Sequence, residues 1–514
     1  EKIPTGLFTS AILWQSAQLK EQLKMYTEAS ADLNKIITAY QYSAEYDLAM
    51  AEYPNALISA GNFSGAISFT RRAITLQSGS VYQNLSDPEL LYLLAVANDK
   101  NGNAAEAKRY YIQYLHSDIE GAHAAESFYA LGLSSKNDGK SDVATSYFKE
   151  AAEHGGKSGA SEEIASMLFD NEQYEEAAKQ YLQLETSTTD SKHKEQYLRD
   201  AIVATIRSDK LASGQKLIQR YELEYKPTLD AHPELRAEFA YESALFYYRQ
   251  QEYTKATAAL KAVNDDYSST IYAPRARFYQ GKILEVTNNL QDAAQLYLDL
   301  LDKSSNSDII PRVLLSLGNM HFNAERYEDA IKYYQMAIDK SDSTSDIMPS
   351  AMSNLIQAYE STKLYDAALK VTKQYVAKFP TDENLIDKKI EIGLLYTKLG
   401  YYDQAVLHFQ NLINESGSLL EAELRYNIGD AYFQKSDYQS AILEFLKVPY
   451  LVSRQGKVNW TATSLYMAGQ SYEKMSKFDS AVEMYQQIVD RTGIDATFKS
   501  AAKKEIERVK TITK

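Results

Sequence analysis

The sequence predicts an all-α fold, a solenoid of about thirteen helical hairpins followed by a C-terminal capping helix. Three observations predict it. A small residue recurs at intervals of 33 to 42 residues, and a second small residue stands twelve positions before ten of these thirteen residues. A large aromatic or aliphatic residue stands three positions before each of them, except where Ala104 and Ser141 stand. Such self-similarity is typical of repeat architectures, in which each unit buries its apolar face against its neighbours.

The recurring small residue belongs to the second helix of each hairpin and is used below as the mark that numbers the hairpins. The thirteen marks are Ala29, Ala66, Ala107, Ala144, Ala177, Gly214, Ala256, Ala293, Ala330, Ala368, Ala405, Ala441 and Ala481. Twelve residues before them stand Ala17, Pro54, Ala95, Gly132, Ala165, Ile202, Ala244, Gly281, Gly318, Ile356, Gly393, Gly429 and Gly469. Ten of these thirteen residues are Gly or Ala.

The stretch 311–340 shows the pattern of a single hairpin. Apolar residues at helical spacing predict a first helix, and a second set that begins near Tyr327 predicts a second helix. Gly318 and Ala330 lie twelve residues apart, one on each predicted helix. We expect the two helix backbones to cross closely there, because a larger side chain would hold them apart.

Two connections of unusual composition divide the predicted array. The Gly-rich stretch 153–161 predicts a softer joint, and 226–233, which contains two prolines, predicts an extended loop or a second joint. We therefore expect hairpins one to four in residues 1–152, hairpins five and six in 153–232, hairpins seven to thirteen in 233–492, and the capping helix in 493–514.

Charge and cysteine content argue against several classes of protein and of site. The formal net charge is -14, and the one basic cluster lies in residues 499–514, which argues against nucleic acid or anionic lipid as the partner. The absence of cysteine excludes disulfides, thiolate metal sites and cysteine nucleophiles. No apolar run approaches the roughly 18 residues of a membrane span.

No constellation of residues indicates catalysis. The seven histidines are scattered, without the His-x3-His or His-Glu-x-x-His spacing of a metal site. No Gly-x-Ser-x-Gly elbow occurs, and the acidic residues are spread over predicted helix faces. We therefore predict that the protein is not an enzyme and has no catalytic, cofactor-binding or metal-binding residues.

The hairpin pattern resembles the tetratricopeptide repeat, whose signature has Leu-Gly in the first helix and Ala-x3-Phe in the second. Those slots hold Leu317, Gly318, Ala330 and Tyr334, whereas His321 stands where the motif prefers Tyr. The resemblance implies a right-handed superhelical solenoid. It also implies a concave groove, lined by the first helices, that binds a peptide or protein partner.

The segment 267–281 indicates a particular subgroup of this repeat class. It is similar to the linking segment of bacterial cell-envelope repeat proteins, the outer-membrane assembly lipoprotein and the Tol-Pal coordinator. This implies a periplasmic or outer-membrane-associated protein, and a cytoplasmic location is the alternative. The chain starts at Glu1 without a Met, which fits a processed or trimmed N-terminus.

Six aromatic residues form a predicted stripe on the groove. Each stands fifteen residues before a mark, where the resemblance places the groove lining; they are Tyr92, Tyr129, Tyr241, Phe278, Tyr426 and Tyr466. Such a stripe would suit an extended peptide or a partner helix, because aromatic rings supply contact area at low entropic cost. The alternative is that these rings pack against the neighbouring repeat.

Four polar residues of two adjacent hairpins complete the predicted site, namely Arg275, Lys282, Arg312 and Asn319. Two arginines at equivalent positions could bind a carboxylate or an acidic segment through charge-assisted hydrogen bonds. Glu285 is close in register and could instead neutralise them.

These observations together predict a non-catalytic protein–protein interaction scaffold in a bacterial cell-envelope complex. The alternative is a structural subunit whose copies assemble into a larger surface or filamentous object. Homo-oligomerisation is open in both cases.

Overall fold

The structure is a computed structural model that describes residues 8–76, 87–155, 158–304, 307–342, 345–451 and 458–512. Within these ranges the regular elements are helices, and no strand occurs. None of the helices described is both long enough and apolar enough to span a bilayer. The chain divides into an N-terminal unit, residues 1–259, and a C-terminal unit, residues 260–514.

Each predicted hairpin is present as two helices, most of them of 14 residues. The first helices are α1 Thr9–Gln22, α3 Tyr46–Ser59, α5 Asp87–Lys100, α7 Ala124–Asn137, α9 Ser158–Asp170, α11 Ser191–Arg207, α14 Pro233–Arg249, α16 Tyr272–Val286, α18 Ile310–Asn323, α20 Ile347–Ser361, α22 Leu385–Lys398, α24 Ser418–Gln434 and α26 Trp460–Lys474. The second helices are α2 Tyr26–Ala39, α4 Phe63–Leu76, α6 Ala104–Ser117, α8 Ser141–Glu153, α10 Tyr174–Ser187, α12 Leu211–Glu224, α15 Tyr253–Asp266, α17 Leu290–Lys303, α19 Tyr327–Lys340, α21 Tyr365–Lys378, α23 Tyr402–Ser416, α25 Tyr438–Phe445 and α27 Phe478–Asp490. Two further helices are α13 Lys226–Ala231 and α28 Ala496–Ile512, the predicted capping helix.

The turn inside each hairpin contains one residue with a left-handed backbone. Thirteen such residues stand five positions before the thirteen marks: Lys24, Gly61, Gly102, Gly139, Glu172, Asp209, Gln251, Asn288, Glu325, Lys363, Gly400, Ser436 and Ser476. At Gly102 the N–H of Asn103 donates to the carbonyl of Asn98 at 2.9 Å, the pattern that terminates many helices. The regular recurrence of this turn confirms thirteen hairpins.

A glycine in the first helix makes room for an aromatic ring of the second helix. In six hairpins a Cβ on the glycine would lie 2.3 to 2.6 Å from a ring sixteen residues later, four residues after the mark. The pairs are Gly132 with Phe148, Gly281 with Tyr297, Gly318 with Tyr334, Gly393 with Phe409, Gly429 with Phe445, and Gly469 with Tyr485. Each of these rings is fully buried. The ring therefore requires a glycine in the first helix, because it occupies the volume that a Cβ would need. At Gly318 the atoms that an added Cβ would meet belong to the Tyr334 ring, and the expected crossing of the backbones at Gly318 and Ala330 stays a prediction.

Other hairpins fill the same space with different residues. Hairpin one has Ala17 opposite Leu33, and the two are buried in one cluster. Hairpin six has a glycine at its mark, Gly214, where a Cβ would meet Ile206 at 2.4 Å. The summed side-chain volume of the facing residues in a hairpin is therefore conserved while the individual residues change, as close-packed cores require.

Within each unit successive hairpins stack through a second recurring contact. Residues four and seven positions after a mark share an apolar cluster with residues 17 and 10 positions before the next mark. Examples are Leu33 and Ile36 with Ala49 and Ala56, Tyr181 and Leu184 with Tyr197 and Ala204, and Phe409 and Leu412 with Leu424 and Ala431. The second helix of one hairpin thus lies on the first helix of the next.

The capping helix is as predicted, whereas the extended loop, one of the two alternatives predicted for 226–233, is wrong. Helix α28 buries Ala502, Ile506 and Val509 in the same cluster as α27. Residues 226–231 form α13 instead of an extended loop, because Leu229 is buried and anchors a helical turn. Residues 156–157 of the predicted softer joint lie outside the described residues, and the predicted domain boundaries stay a prediction.

The ring-to-glycine fit predicts coupling between Gly393 and Phe409. Gly393→Ala places a Cβ about 2.4 Å from the ring and should lower the free energy of unfolding by about 1 to 3 kcal/mol. Phe409→Leu alone should cost about 1 to 2 kcal/mol through the cavity it leaves. The double variant reproduces the Ala-Leu pair of hairpin one. In urea unfolding, the loss of unfolding free energy in the double variant should be about 1 to 2 kcal/mol smaller than the sum of the losses in the two single variants. Additive losses would contradict the ring-to-glycine fit.

The left-handed turns predict a stabilising substitution at Lys363, whose φ is 59°. A residue with a Cβ is strained there, so Lys363→Gly should raise the free energy of unfolding by about 0.5 to 1 kcal/mol. Lys363→Ala keeps the Cβ and serves as the control, with no expected gain. Thermal unfolding followed by circular dichroism measures both, and equal midpoints for the two variants would refute the strain.

Candidate functional site

A cavity of about 380 Å³ lies between α7 and α9 in the N-terminal unit. We name it the α7–α9 cavity. Its lining is mostly small, from Ala125, Ala151, Gly155, Gly159 and Ala160, together with Glu126 and Tyr129. The small residues create the space, since a Cβ at Gly159 would still be 3.7 Å from the Tyr129 hydroxyl. Tyr129 is the predicted site residue that this cavity contains.

One carboxylate lines the α7–α9 cavity, and two others lie near its tyrosine. Glu126 is exposed on its rim. Burial raises the pKa of the Tyr129 hydroxyl, and the nearby charges of Glu163 and Glu162 raise it further. Lys136 opposes this effect and is bound to Glu163 at 2.7 Å. A phenol with this surrounding stays protonated and can donate a hydrogen bond to a ligand.

Further carboxylates lie on α11 and α14, the first helices of hairpins six and seven. Burial raises the pKa of Asp200 to about 6, and the charges of Glu238 and Glu162 contribute in the same direction. Arg199 lies 3.6 Å from the Asp200 carboxylate and compensates in part. Burial therefore disfavours the charged form of this carboxyl first, and the neighbouring carboxylates add to that effect.

The other two predicted aromatics of the N-terminal unit are packed. Tyr92 stacks on His123 with ring centroids 3.8 Å apart, and His123 in turn contacts Glu89 at 3.2 Å. Tyr241 is only 7% exposed. Tyr92 therefore contributes to the contact between hairpins three and four and keeps a partly exposed edge, whereas Tyr241 is buried.

The predicted aromatics of the C-terminal unit also pack between helices. Phe278 is 7% exposed and lies against Tyr297. Tyr426 lies between Phe445 and Trp460, with centroids 5.6 and 5.2 Å away. The Tyr466 hydroxyl donates to Glu505 of α28 at 3.1 Å. The predicted role of these residues in partner binding stays a prediction.

The predicted cations of the C-terminal unit are bound to carboxylates. Arg275 donates to Asp308 at 3.0 Å, Arg312 donates to Asp346 at 2.6 Å, and Lys282 donates to Glu285 at 2.7 Å. Each arginine pair joins one hairpin to the start of the next. An acidic ligand would have to compete with these intramolecular carboxylates.

Asn319 is likewise engaged within the fold. Its side-chain oxygen accepts hydrogen bonds from the Tyr334 hydroxyl and from Asn354, both at 2.9 Å. Among the residues described, no group of three His, Asp or Glu side chains could hold a metal ion.

Sequence reasoning missed Glu126 and the small residues of the α7–α9 cavity. Ala125, Gly155 and Gly159 were not assigned to a site, because the glycines indicated a soft joint. The available signal was the combination of this joint with Tyr129 and Glu126, which lie three residues apart on one helix face.

Comparison with protein families assigns the repeat. Models described as tetratricopeptide repeat match residues 247–308, 315–383, 390–449 and 463–491. These segments of the chain are tetratricopeptide repeats. The matched segments lie in hairpins seven to thirteen, and the same helix pattern and turn occur in the earlier hairpins.

The curated relative that matches is distant in sequence. The 43 kDa receptor-associated protein of the synapse from Gallus gallus is 23% identical over 216 residues, 40% of this chain. The match spans 52% of the length of that relative.

Solved structures that are similar include a tetratricopeptide repeat protein from Parabacteroides merdae, 15% identical, covering 53% of this chain and 98% of that one, with a TM-score of 0.32. The tetratricopeptide-repeat protein YrrB, whose structure is described as having an unusual peptide-binding site, is 18% identical, covering 41% of this chain and 99% of that one, with a TM-score of 0.28. The structure of Naa15/Naa10 bound to HypK-THB covers 97% of this chain and 78% of that one, at 12% identity and a TM-score of 0.36.

Tetratricopeptide repeats generally form scaffolds for protein–protein interaction, because stacked helical hairpins present an extended surface to a partner. The coarse class of the predicted function is therefore supported: a fold whose partners are proteins or peptides.

The acidic part of the N-terminal unit predicts a pH-dependent stability. Because the folded-state pKa of Asp200 is raised to about 6 from 3.8, the folded chain binds this proton more tightly than the unfolded chain does. Its stabilising effect is present below about pH 4 and is lost as the pH rises through about 6.

Asp200→Asn should therefore raise the free energy of unfolding by about 1 to 2 kcal/mol at pH 7.5 and change it little at pH 4. Asp302→Asn, at an exposed aspartate, is the matched control without this effect. Urea unfolding at both pH values checks the prediction, and an equal effect of Asp200→Asn at pH 4 and pH 7.5 would contradict it.

Proposed function

We propose that the protein is a non-catalytic scaffold that binds a peptide segment of a partner protein on the first-helix side of hairpins four and five. The observation that carries this proposal is the α7–α9 cavity, about 380 Å³ in volume and lined by Tyr129 and small residues. A space of this size admits one large side chain of an extended peptide. The tyrosine hydroxyl at its wall supplies a directional contact.

The charge around the cavity favours a basic partner. Glu126 stands on the rim, and Glu162 and Glu163 lie near enough to affect the Tyr129 hydroxyl. Further along the unit, burial raises the pKa of Asp200, and the charges of Glu238 and Glu162 add to this effect. A lysine or arginine side chain would insert its apolar stem between the small residues and place its charge beside Glu126.

In the proposal, Tyr92 extends this surface, because it lies on α5, the first helix before α7. Tyr241 lies on α14 and is 7% exposed, so it would support this side of the unit from within. Phe278, Tyr426 and Tyr466, with Arg275, Lys282, Arg312 and Asn319, would form a separate contact region of the C-terminal unit. Recognition of an acidic segment there requires exchange of the existing pairs with Asp308 and Asp346.

We also propose that the scaffold belongs to a bacterial cell envelope, in the periplasm or at the outer membrane. Support for this comes from the segment 267–281, which is similar to the linking segment of envelope repeat proteins. Fractionation of the source cells with an antibody to the protein tests it. Recovery in the envelope fraction is expected, and recovery in the cytoplasmic fraction would overturn this part of the proposal.

The peptide site makes a prediction that can be tested without knowing the partner. A random twelve-residue peptide library displayed on phage is selected against the full chain. Enriched peptides should contain Lys or Arg. Their affinity should fall about tenfold or more in Gly159→Leu, which fills the α7–α9 cavity, and several-fold in Glu126→Gln, which removes the rim charge.

The matched control is Glu222→Gln, which removes an exposed carboxylate of α12 in the same unit and should leave the affinity unchanged. Raising the salt concentration should weaken binding to the wild-type chain, because the rim charges are screened. Enrichment of acidic peptides, or equal binding by Gly159→Leu, would overturn the proposed site.

A further inference from the structure

Two successive clefts between first helices share a tyrosine and a glutamate, and a side chain of this chain fills only the first. We name the first, between α5 and α7, the α5–α7 cleft. It contains Tyr92, fifteen residues before its mark, and Glu89, eighteen residues before that mark. The second is the α7–α9 cavity, where Tyr129 and Glu126 stand at the same two positions of the next hairpin. The filled cleft therefore indicates what fits the cavity.

The α5–α7 cleft is filled by an imidazole ring. His123 stands directly before α7, and its ring stacks on Tyr92 with centroids 3.8 Å apart and planes inclined by 3°. The Nε2 atom of His123 lies 3.2 Å from a carboxylate oxygen of Glu89. The Tyr114 hydroxyl accepts a hydrogen bond from the His123 backbone N–H at 3.0 Å. A planar group that carries nitrogen thus uses both the tyrosine face and the carboxylate.

Smaller residues stand at the corresponding positions around the α7–α9 cavity. Ala151 stands seven residues after its mark, where hairpin three has Tyr114. Gly159 stands eighteen residues before its mark, where hairpin four has a glutamate. The sequence has Gly156 at the position that corresponds to His123, and a glycine supplies no ring. The cavity of about 380 Å³ therefore lies where the preceding cleft has larger side chains.

A cleft of the C-terminal unit shows how the chain fills such a space elsewhere. Ala337 has in hairpin nine the position that Ala151 has in hairpin four. Ile347 has in hairpin ten the position of His123, is 8% exposed, and lies in one apolar cluster with Ala337. The larger residue compensates for the alanine, as close packing requires. The corresponding residue of hairpin five is a glycine and cannot do so.

The two groups that hold His123 in the first cleft have free equivalents at the cavity. Within the described part of the chain, the ring that packs on Tyr129 is Phe148, at a centroid distance of 5.6 Å and an angle of 55°, so no ring stacks on it face to face. Glu126 is exposed and forms no hydrogen bond or ion pair with another described residue. A ligand in the cavity therefore meets a tyrosine ring and a carboxylate in the arrangement that His123 uses.

We propose that the α7–α9 cavity selects an arginine of the partner peptide over a lysine. The guanidinium group stacks on Tyr129 as the imidazole of His123 stacks on Tyr92, and its N–H groups donate to Glu126. An ammonium group has no flat face and is more strongly hydrated, so a lysine gains less from the same cavity. This inference rests on the proposed function and names the side chain that the peptide site recognises.

Arginine also suits the cavity better than a histidine of the partner. The side chain has to reach the cavity from a peptide on the surface, whereas His123 is attached to the chain beside its cleft. Arginine has the longer stem and is always charged beside Glu126. A histidine with the ordinary pKa of about 6.5 is mostly neutral at pH 7.5.

The probes are three pools of fluorescently labelled nine-residue peptides with arginine, lysine or citrulline at the central position. Every other position is an equimolar mixture of uncharged residues. In anisotropy titrations with the full chain at pH 7.5, the arginine pool should bind at least about fivefold more tightly than the lysine pool. The citrulline pool should bind more weakly than both, because citrulline is planar but carries no charge for Glu126.

Variants of Tyr129 separate stacking from a merely structural role. Tyr129→Leu should weaken binding of the arginine pool about fivefold or more and change binding of the lysine pool little, so that the preference is lost. Tyr129→Phe keeps the ring and should keep the preference. Tyr147→Leu removes another partly buried tyrosine of the same hairpin and is the matched control, with no change expected in either affinity.

The outcomes distinguish this inference from the proposed function. Equal binding of the arginine and lysine pools, with both weakened by Gly159→Leu, would overturn the selection of arginine and leave the peptide site in place. A preference for arginine that persists in Tyr129→Leu would likewise overturn the stacking. Absence of binding by every pool, or binding that Gly159→Leu leaves unchanged, would overturn the peptide site together with this inference.

Discussion

The fit of an aromatic ring against a residue without a side chain is the contact on which each hairpin depends. In six hairpins the ring four residues after the mark occupies the volume that a Cβ of the first-helix glycine would fill. The ring is buried by its own hairpin and also belongs to the cluster shared with the next hairpin, as Phe409 does with Leu424. One side chain therefore links intra-hairpin packing to stacking, and volume must be conserved across both contacts.

The left-handed turn before each second helix gives this contact its constant geometry. Because one residue at positive φ separates the two helices in every hairpin, the ring and the glycine keep the same separation of sixteen residues. Nine of the thirteen turns use a residue other than glycine, so the array tolerates local strain. Stability is distributed over many equivalent neighbour contacts, as in other repeat proteins.

Surface charge, in contrast, differs between the two units. In the C-terminal unit the arginines of successive first helices are neutralised by aspartates of the following hairpin, as for Arg275 with Asp308. In the N-terminal unit the carboxylates near Tyr129 and Asp200 are compensated only in part by Lys136 and Arg199. The net charge of the chain is -14. The proposed peptide site therefore lies where negative charge and the apolar α7–α9 cavity occur together.

The sequence by itself determined the number of hairpins, the start of each second helix and the capping helix, because these follow from helical periodicity and from small residues at a constant spacing. Only the tertiary structure decided that Gly318 faces a ring, that residues 226–231 form α13, and that Arg312 is paired with Asp346. These depend on side chains brought together from separate helices, with volumes and charges that a one-dimensional pattern does not specify. The α7–α9 cavity is of the same kind: Tyr129 was predictable as a candidate, whereas the space beside it arises from small residues on three separate segments.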